Sequence, residues 1–189
     1  MGRVRAKKVM DSVRKYTPEL IDIRHQLHRN PELSREEYET SRLIRQELTR
    51  YGVEILEYGL DTGVVGLIQG KEPGRCPALR EDIDALPIAE RTGLVFTSEK
   101  EEISHACGHD IHTAVLLGCA KILMECRDAM KGSVLLVFQC AEEQCDGSVS
   151  MLQHGVMHNP KPDVVAGLHC SPGIDPGKIG VASRLRTYP

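Results

Sequence analysis

The sequence lacks several features that would have assigned it to a class at once. It has no basic excess: 24 Lys and Arg against 27 Asp and Glu leave a net charge of −3. Nothing electrostatic therefore recommends nucleic acid or an anionic membrane as a partner. No apolar run approaches the roughly 20 residues needed to cross a bilayer. The opening "MGRVRAKKVM" is basic but lacks the apolar stretch of a secretory signal, and "MGRVRA" lacks the Ser or Thr that myristoylation needs. No disulfide framework can be read, because the seven cysteines (76, 107, 119, 126, 140, 145 and 170) are odd in number and irregular in spacing. They are expected to be the reduced thiols of a cytoplasmic protein, available for packing or for metal. Internal repeats, low-complexity segments and linkers are also missing, and 189 residues suffice for one core.

What is present reads as alternating helices and strands. Val13, Tyr16, Leu20, Ile23 and Leu27 step by three and four, which predicts an amphipathic helix. "NPELS" ends it, and Ser34 with Glu37 has the spacing of a capping box for a second helix. That helix carries Tyr38, Ser41, Ile44, Leu48 and Tyr51 on one face and stops at Gly52. Short strands are expected in "VEILEY", "GVVGLIQG" and "PALREDID". A helix from about Asp110 to Cys126 follows, apolar around most of its circumference, with Cys119 and Cys126 read as packing residues. The continuous apolar run "SVLLVFQC" predicts a strand covered on both faces. A short helix near 148–156 and a strand in "PDVVAGLH" come next, and "PGKIGV" looks like the start of another. This order predicts an α/β fold: a mostly parallel sheet with helices on both faces.

The chemistry concentrates in "SHACGHDIHTAV", residues 104–115, which holds three of the eight histidines with a cysteine and an aspartate. Cys107 and His109 precede a helix N-terminus, Glu142 and Glu143 follow one strand, and His169 ends another. In an open parallel sheet, ligands bind beyond the carboxyl ends of the strands, so three separate segments deliver donors to one edge. A thiolate, two imidazoles and a carboxylate suit zinc and also admit manganese, cobalt or nickel. Cys-x-His in an extended loop puts both side chains on one side. The paired glutamates allow one to bind metal while the other moves a proton.

Four stretches, "SHACGHDIHTAVLLG", "FQCAEE", "LREDIDALPIAE" and "GLHCSPGIDPGKIGV", together resemble the M20 family of metallopeptidases. The likeness is to its amidohydrolase branch, which includes hippurate hydrolases, N-acetyldiaminopimelate deacetylases and auxin–amino acid conjugate hydrolases. "RHQLHRNPELSREEYETSRLI" matches as well, so the resemblance runs from about residue 17 to 181.

The resemblance implies a zinc-peptidase-like catalytic domain, incomplete at its C-terminus. Residues 1–189 would be its N-terminal portion, without the lid and dimerisation domain or the return segment that brings a last metal-binding histidine. It implies two divalent ions held by Cys107, His109, Glu143 and His169. Glu142 would be the general base and Asp82 the aspartate that orients the site; Asp84 belongs to the same motif with a more structural expectation. His105 and His112 are expected to support the ligands rather than bind metal. The activity implied is metal-dependent hydrolysis of N-acyl amino acids, through a metal-activated water, to a carboxylate and a free amino acid. One alternative is an inactive remnant or fragment that needs a second polypeptide; another is a di- or oligopeptide metallopeptidase. Expected partners are a small N-acyl amino acid and either that second polypeptide or further copies of the chain. The chain departs from the pattern at "QCDGSVS", at "CAEE" where a proline commonly precedes the alanine, and in the closing "ASRLRTYP".

Overall fold

The computed structural model describes residues 2–175 and 177–181, with the backbone alone for residues 2–5. Its centre is a five-stranded sheet: β1 Glu54–Ile55, β2 Val64–Gln69, β3 Pro77–Asp82, β4 Ser133–Gln139 and β5 Val164–Gly167, in the order β1-β2-β4-β3-β5. The α/β expectation is met, with one refinement. β4, β3 and β5 run parallel, whereas β1–β2 and β2–β4 are antiparallel. The parallel half is the one whose carboxyl ends carry the reactive residues.

The strand β4 alternates between two cores. Val134, Leu136 and Phe138 face α1 (Gly2–Arg29), α2 (Tyr38–Tyr51) and α3 (His109–Cys126), meeting Ile23, Leu27, Ile44, Leu48, Leu116 and Leu117. Leu135 and Val137 face the other way, against Met151 of α4 (Gly147–Gln153) and Val156. Each such side chain, fully buried, contributes about 1.5–3 kcal/mol relative to exposure. Coverage on both faces is why this run could stay apolar without alternation.

Gly52 ends α2 as its spacing suggests, at φ 81°, with its N–H returned to the Leu48 and Thr49 carbonyls. The capping box at the other end does not form. Ser34 donates instead to Asp84 at 2.6 Å, and the buried Glu37 accepts the Ala141 N–H at 2.7 Å. Glu32 takes over the helix start, accepting the N–H groups of Glu39 and Thr40 at 3.1 and 2.8 Å. Two residues with local capping spacing are thus spent on tertiary contacts at the sheet edge. Tyr38, expected on the buried face of α2, is exposed. Of "PGKIGV", residues 177–181 are irregular; they find no strand to pair with, and β5 remains exposed along its length. Pro176 and the closing "ASRLRTYP" lie outside the described residues. Among those described, no helix is long and apolar enough to cross a membrane.

Candidate metal centre

Strand register decides which side chains meet. β3 pairs with β4 so that Asp82 faces Gln139, and with β5 so that Arg80 faces Gly167. The residues just past each strand end, Asp84, Glu142 with Glu143, and His169 with Cys170, are therefore delivered to one rim. The helix α3 begins at the same rim. Its His109 and His112, three residues apart, share a face, with ring centroids 5.3 Å apart. Gly108 caps the helix at φ 86°, where a Cβ would lie 2.4 Å from the Cys170 sulfur, so glycine alone allows this approach.

His109, His112 and His169 each have Nδ1 engaged. His109 Nδ1 meets Asp84 Oδ1 at 3.2 Å, His112 Nδ1 meets Asp82 Oδ1 at 2.5 Å, and His169 Nδ1 meets the Cys170 carbonyl at 2.6 Å. With the proton assigned to Nδ1 by these partners, the three Nε2 lone pairs point inward. His169 Nε2 lies 3.3 Å from Cys107 Sγ. His109 Nε2 lies 3.6 Å from Asp82 Oδ1, 3.7 Å from Glu143 Oε1 and 4.0 Å from Glu142 Oε2. His109 Nε2 and Glu143 Oε1 are both buried without a hydrogen-bond partner, an arrangement that costs stability unless something else satisfies it.

Of four donor sets among the described residues whose ligand atoms lie within 4.8 Å of one another, three overlap at one side chain: Cys107, His109 and His169; His109, Glu142 and Glu143; and Asp82, His109 and His112. His109 belongs to all three. The four expected ligands thus come together around it, with His109 buried, Cys107 and Glu143 half-buried and His169 exposed. Glu142 stands at the mouth. Asp84 does more than its motif suggested. It accepts from Ser34, from the Glu143 N–H at 3.0 Å and from His109, tying three elements together. Of the flanking histidines, His112 supports Asp82, while His105 is buried with both nitrogens unpartnered.

The electrostatics are those of a negative well. Burial would raise the Asp82 carboxyl, but the hydrogen bond from His112 and the charges of His109 and Arg80 hold it down at about 2. Burial, and then the Glu143 carboxylate, push the Cys107 thiol up to about 12. For His109, burial disfavours the charged ring, yet Asp84, Asp82 and Glu143 outweigh it and raise the pKa. Burial lowers His105 to about 4, leaving it neutral. Carboxylates crowded so closely favour any cation that enters.

Sequence reasoning missed two participants. Glu37 holds the turn before the paired glutamates by accepting from Ala141, which stands at a left-handed φ of 47°, a strained setting for a non-glycine residue. Its pattern read as a local cap. Cys170 lies 3.2 Å from His112 Nε2; its adjacency to His169 was the available signal.

A family model described as peptidase family M20/M25/M40 matches residues 78–184. The N-acetyl-L-cysteine deacetylase of Bacillus subtilis (strain 168) is 47% identical over 163 residues, covering 86% of this chain and 39% of the relative. Thermostable carboxypeptidase 1 of Saccharolobus solfataricus is 44% identical over 174 residues, covering 90% and 44%. The crystal structure of the Bacillus subtilis YXEP protein, described as a dinuclear metal binding peptidase from the M20 family, superposes with a TM-score of 0.86. It is 42% identical and covers 89% of this chain and 47% of that one. The chain thus spans less than half the length of these relatives.

Proposed function

The chain belongs to peptidase family M20/M25/M40, and from that premise we propose that the rim of its sheet is a divalent-metal site that hydrolyses the amide bond of N-acyl amino acids. Cys107, His109, Glu143 and His169 are the ligands in this reading, and a relative described as dinuclear metal binding supports a pair of ions. The observation that carries it is the pair of buried, unpartnered atoms His109 Nε2 and Glu143 Oε1, 3.7 Å apart. A cation between them satisfies both, and the mixed thiolate, imidazole and carboxylate set fits zinc, manganese, cobalt or nickel. When bound, such ions supply Lewis-acid polarisation of the amide carbonyl and acidify water at neutral pH.

The chain's own groups do the rest. Glu142, half-exposed with its Oε2 4.0 Å from His109 Nε2, accepts the proton of the attacking water and returns it to the leaving nitrogen. Asp84 and Asp82 fix the tautomers of His109 and His112. The products are a carboxylate and a free amino acid. The deacetylase relative supports an acyl amino acid as substrate, and the carboxypeptidase relative supports a peptide as the competing class. Both substrates present an amide to the same groups.

The test loads the 189-residue chain with zinc, manganese or cobalt, measures stoichiometry by calorimetry, and assays N-acetyl amino acids, hippurate and dipeptides. Glu142→Gln is expected to keep the metal and lose about 10²–10⁴ in turnover. Failure of every cation to bind, or binding unaffected by His109→Ala, overturns the reading. Metal binding without turnover favours a fragment that needs a second polypeptide.

A further inference from the structure

We propose that Cys170 and His112 join Cys107 and His169 in a second, four-donor site for a thiophilic divalent cation such as zinc or cadmium. The inference rests on the metal-binding reading above through Cys107 and His169, which the two sites share. His112, His169 and Cys170 have ligand atoms within 4.8 Å of one another. Cys170 Sγ is 3.2 Å from His112 Nε2, and Cys107 Sγ is 3.3 Å from His169 Nε2. The rings of His112 and His169 lie edge to face with centroids 4.6 Å apart. Cys170 Sγ is 3.5 Å from the carbonyl oxygen of Cys107, so the Cys170 side chain lies against the Cys107 backbone. Zinc–sulfur and zinc–nitrogen bonds of about 2.3 and 2.0 Å at tetrahedral angles separate S from N by roughly 3.5 Å. Both observed pairs fall a few tenths of an ångström short of that, and β5, exposed throughout, lets the His169–Cys170 turn shift without disturbing a core.

The donor chemistry separates this site from the first. Two thiolates and two imidazoles form the closed set that structural zinc prefers, with no open position for substrate. His112 is prepared for it: its Nδ1 is held by Asp82 at 2.5 Å, which fixes Nε2 as the donor. That lone pair accepts the Cys170 N–H at 3.0 Å, and a cation would take the place of this donor. Since His169 serves one ion through Nε2, soft cations draw it towards the cysteines. A hard ion such as manganese remains with His109 and Glu143. Excess zinc or cadmium then withdraws a ligand from the hydrolytic site.

The experiment titrates the 189-residue chain, in a Cys145→Ser background that removes an exposed thiol, with cadmium ion. It follows thiolate-to-cadmium absorbance in the ultraviolet and the thermal midpoint, with a parallel manganese titration by calorimetry. Wild type is expected to show two thiolates per first cadmium. Cys170→Ser should halve the band, weaken cadmium at least tenfold, shrink the cadmium-induced rise in midpoint and leave manganese binding within threefold. A Cys170→Ser band and affinity equal to wild type overturn the inference, while a surviving band lost in Cys107→Ser leaves the first site standing. If wild type binds neither cation, the hydrolase reading falls with it. The metal-free midpoint of each variant shows that it folds.

Discussion

Replacing Asp84 by asparagine changes one atom in the side chain that ties three elements of the site together. Asp84 Oδ2 accepts from Ser34 Oγ at 2.6 Å and from the Glu143 N–H at 3.0 Å, while Oδ1 accepts from His109 Nδ1 at 3.2 Å. Asparagine retains one acceptor oxygen. If that oxygen serves Ser34 and Glu143, its NH2 faces His109, and the ring must flip its proton to Nε2. The lone pair then leaves the metal site, the same fault that asparagine produces when it replaces the orienting aspartate of a catalytic triad. Losing a charge-assisted hydrogen bond costs about 1.5–3 kcal/mol, and relief of repulsion with buried Asp82 offsets part of this. A net loss of about 1–3 kcal/mol lowers the thermal midpoint by roughly 3–10 °C for a chain of this size. The metal readout is larger, a 10- to 100-fold loss of affinity. Calorimetry measures the affinity, and nitrogen-15 spectra of the histidine rings read the tautomer. An Asp84→Asn protein that binds manganese or zinc within threefold of wild type, with His109 still protonated at Nδ1, refutes the argument.

The remaining predictions concern pH. Burial raises the Glu81 carboxyl to about 7, with the Leu168 N–H opposing it. Between the unfolded value near 4.5 and 7 the native state holds the extra proton, so this group's contribution falls as pH rises and becomes a constant cost of about 3 kcal/mol above. Glu81→Gln, which keeps an acceptor for Leu168, is expected to gain about 2–3 kcal/mol in metal-free urea unfolding at pH 8 and little at pH 4; equal gains at both pH values speak against it. For Cys107, whose thiol stands at about 12, metal must displace a proton, so affinity should rise about tenfold per pH unit per proton released. Calorimetry in buffers of different ionisation enthalpy counts those protons, and a count unchanged in Cys107→Ala contradicts the ligand role.

Much of the fold can be read without coordinates because its signals are local. The three- and four-residue steps from Tyr16 to Leu27 mark α1, Gly52 is the residue able to end α2 at positive φ, and the run from Val134 to Phe138 is apolar throughout because two cores cover it. The same locality places Cys107, His109, Glu142, Glu143 and His169 at element ends, where an α/β sheet gathers ligands. What sequence spacing misjudged, it misjudged for a common reason: the deciding partner lay far away in the chain. Ser34 and Glu37 have capping spacing, but their oxygens go to Asp84 and Ala141, 50 and 104 residues on. Asp84 looked structural until the fold set His109 and Glu143 against it.

The amino-acid order by itself determined which chemical groups this protein owns and which end of each element carries them, since periodicity and turn chemistry act over a few residues. Only the tertiary structure decided who faces whom: the antiparallel pairing of β2 with β4, the register that sets β5 beside β3, and hence the meeting of Cys170 with His112 across 58 residues of chain. Strand register is a property of paired backbones, and no single segment contains it.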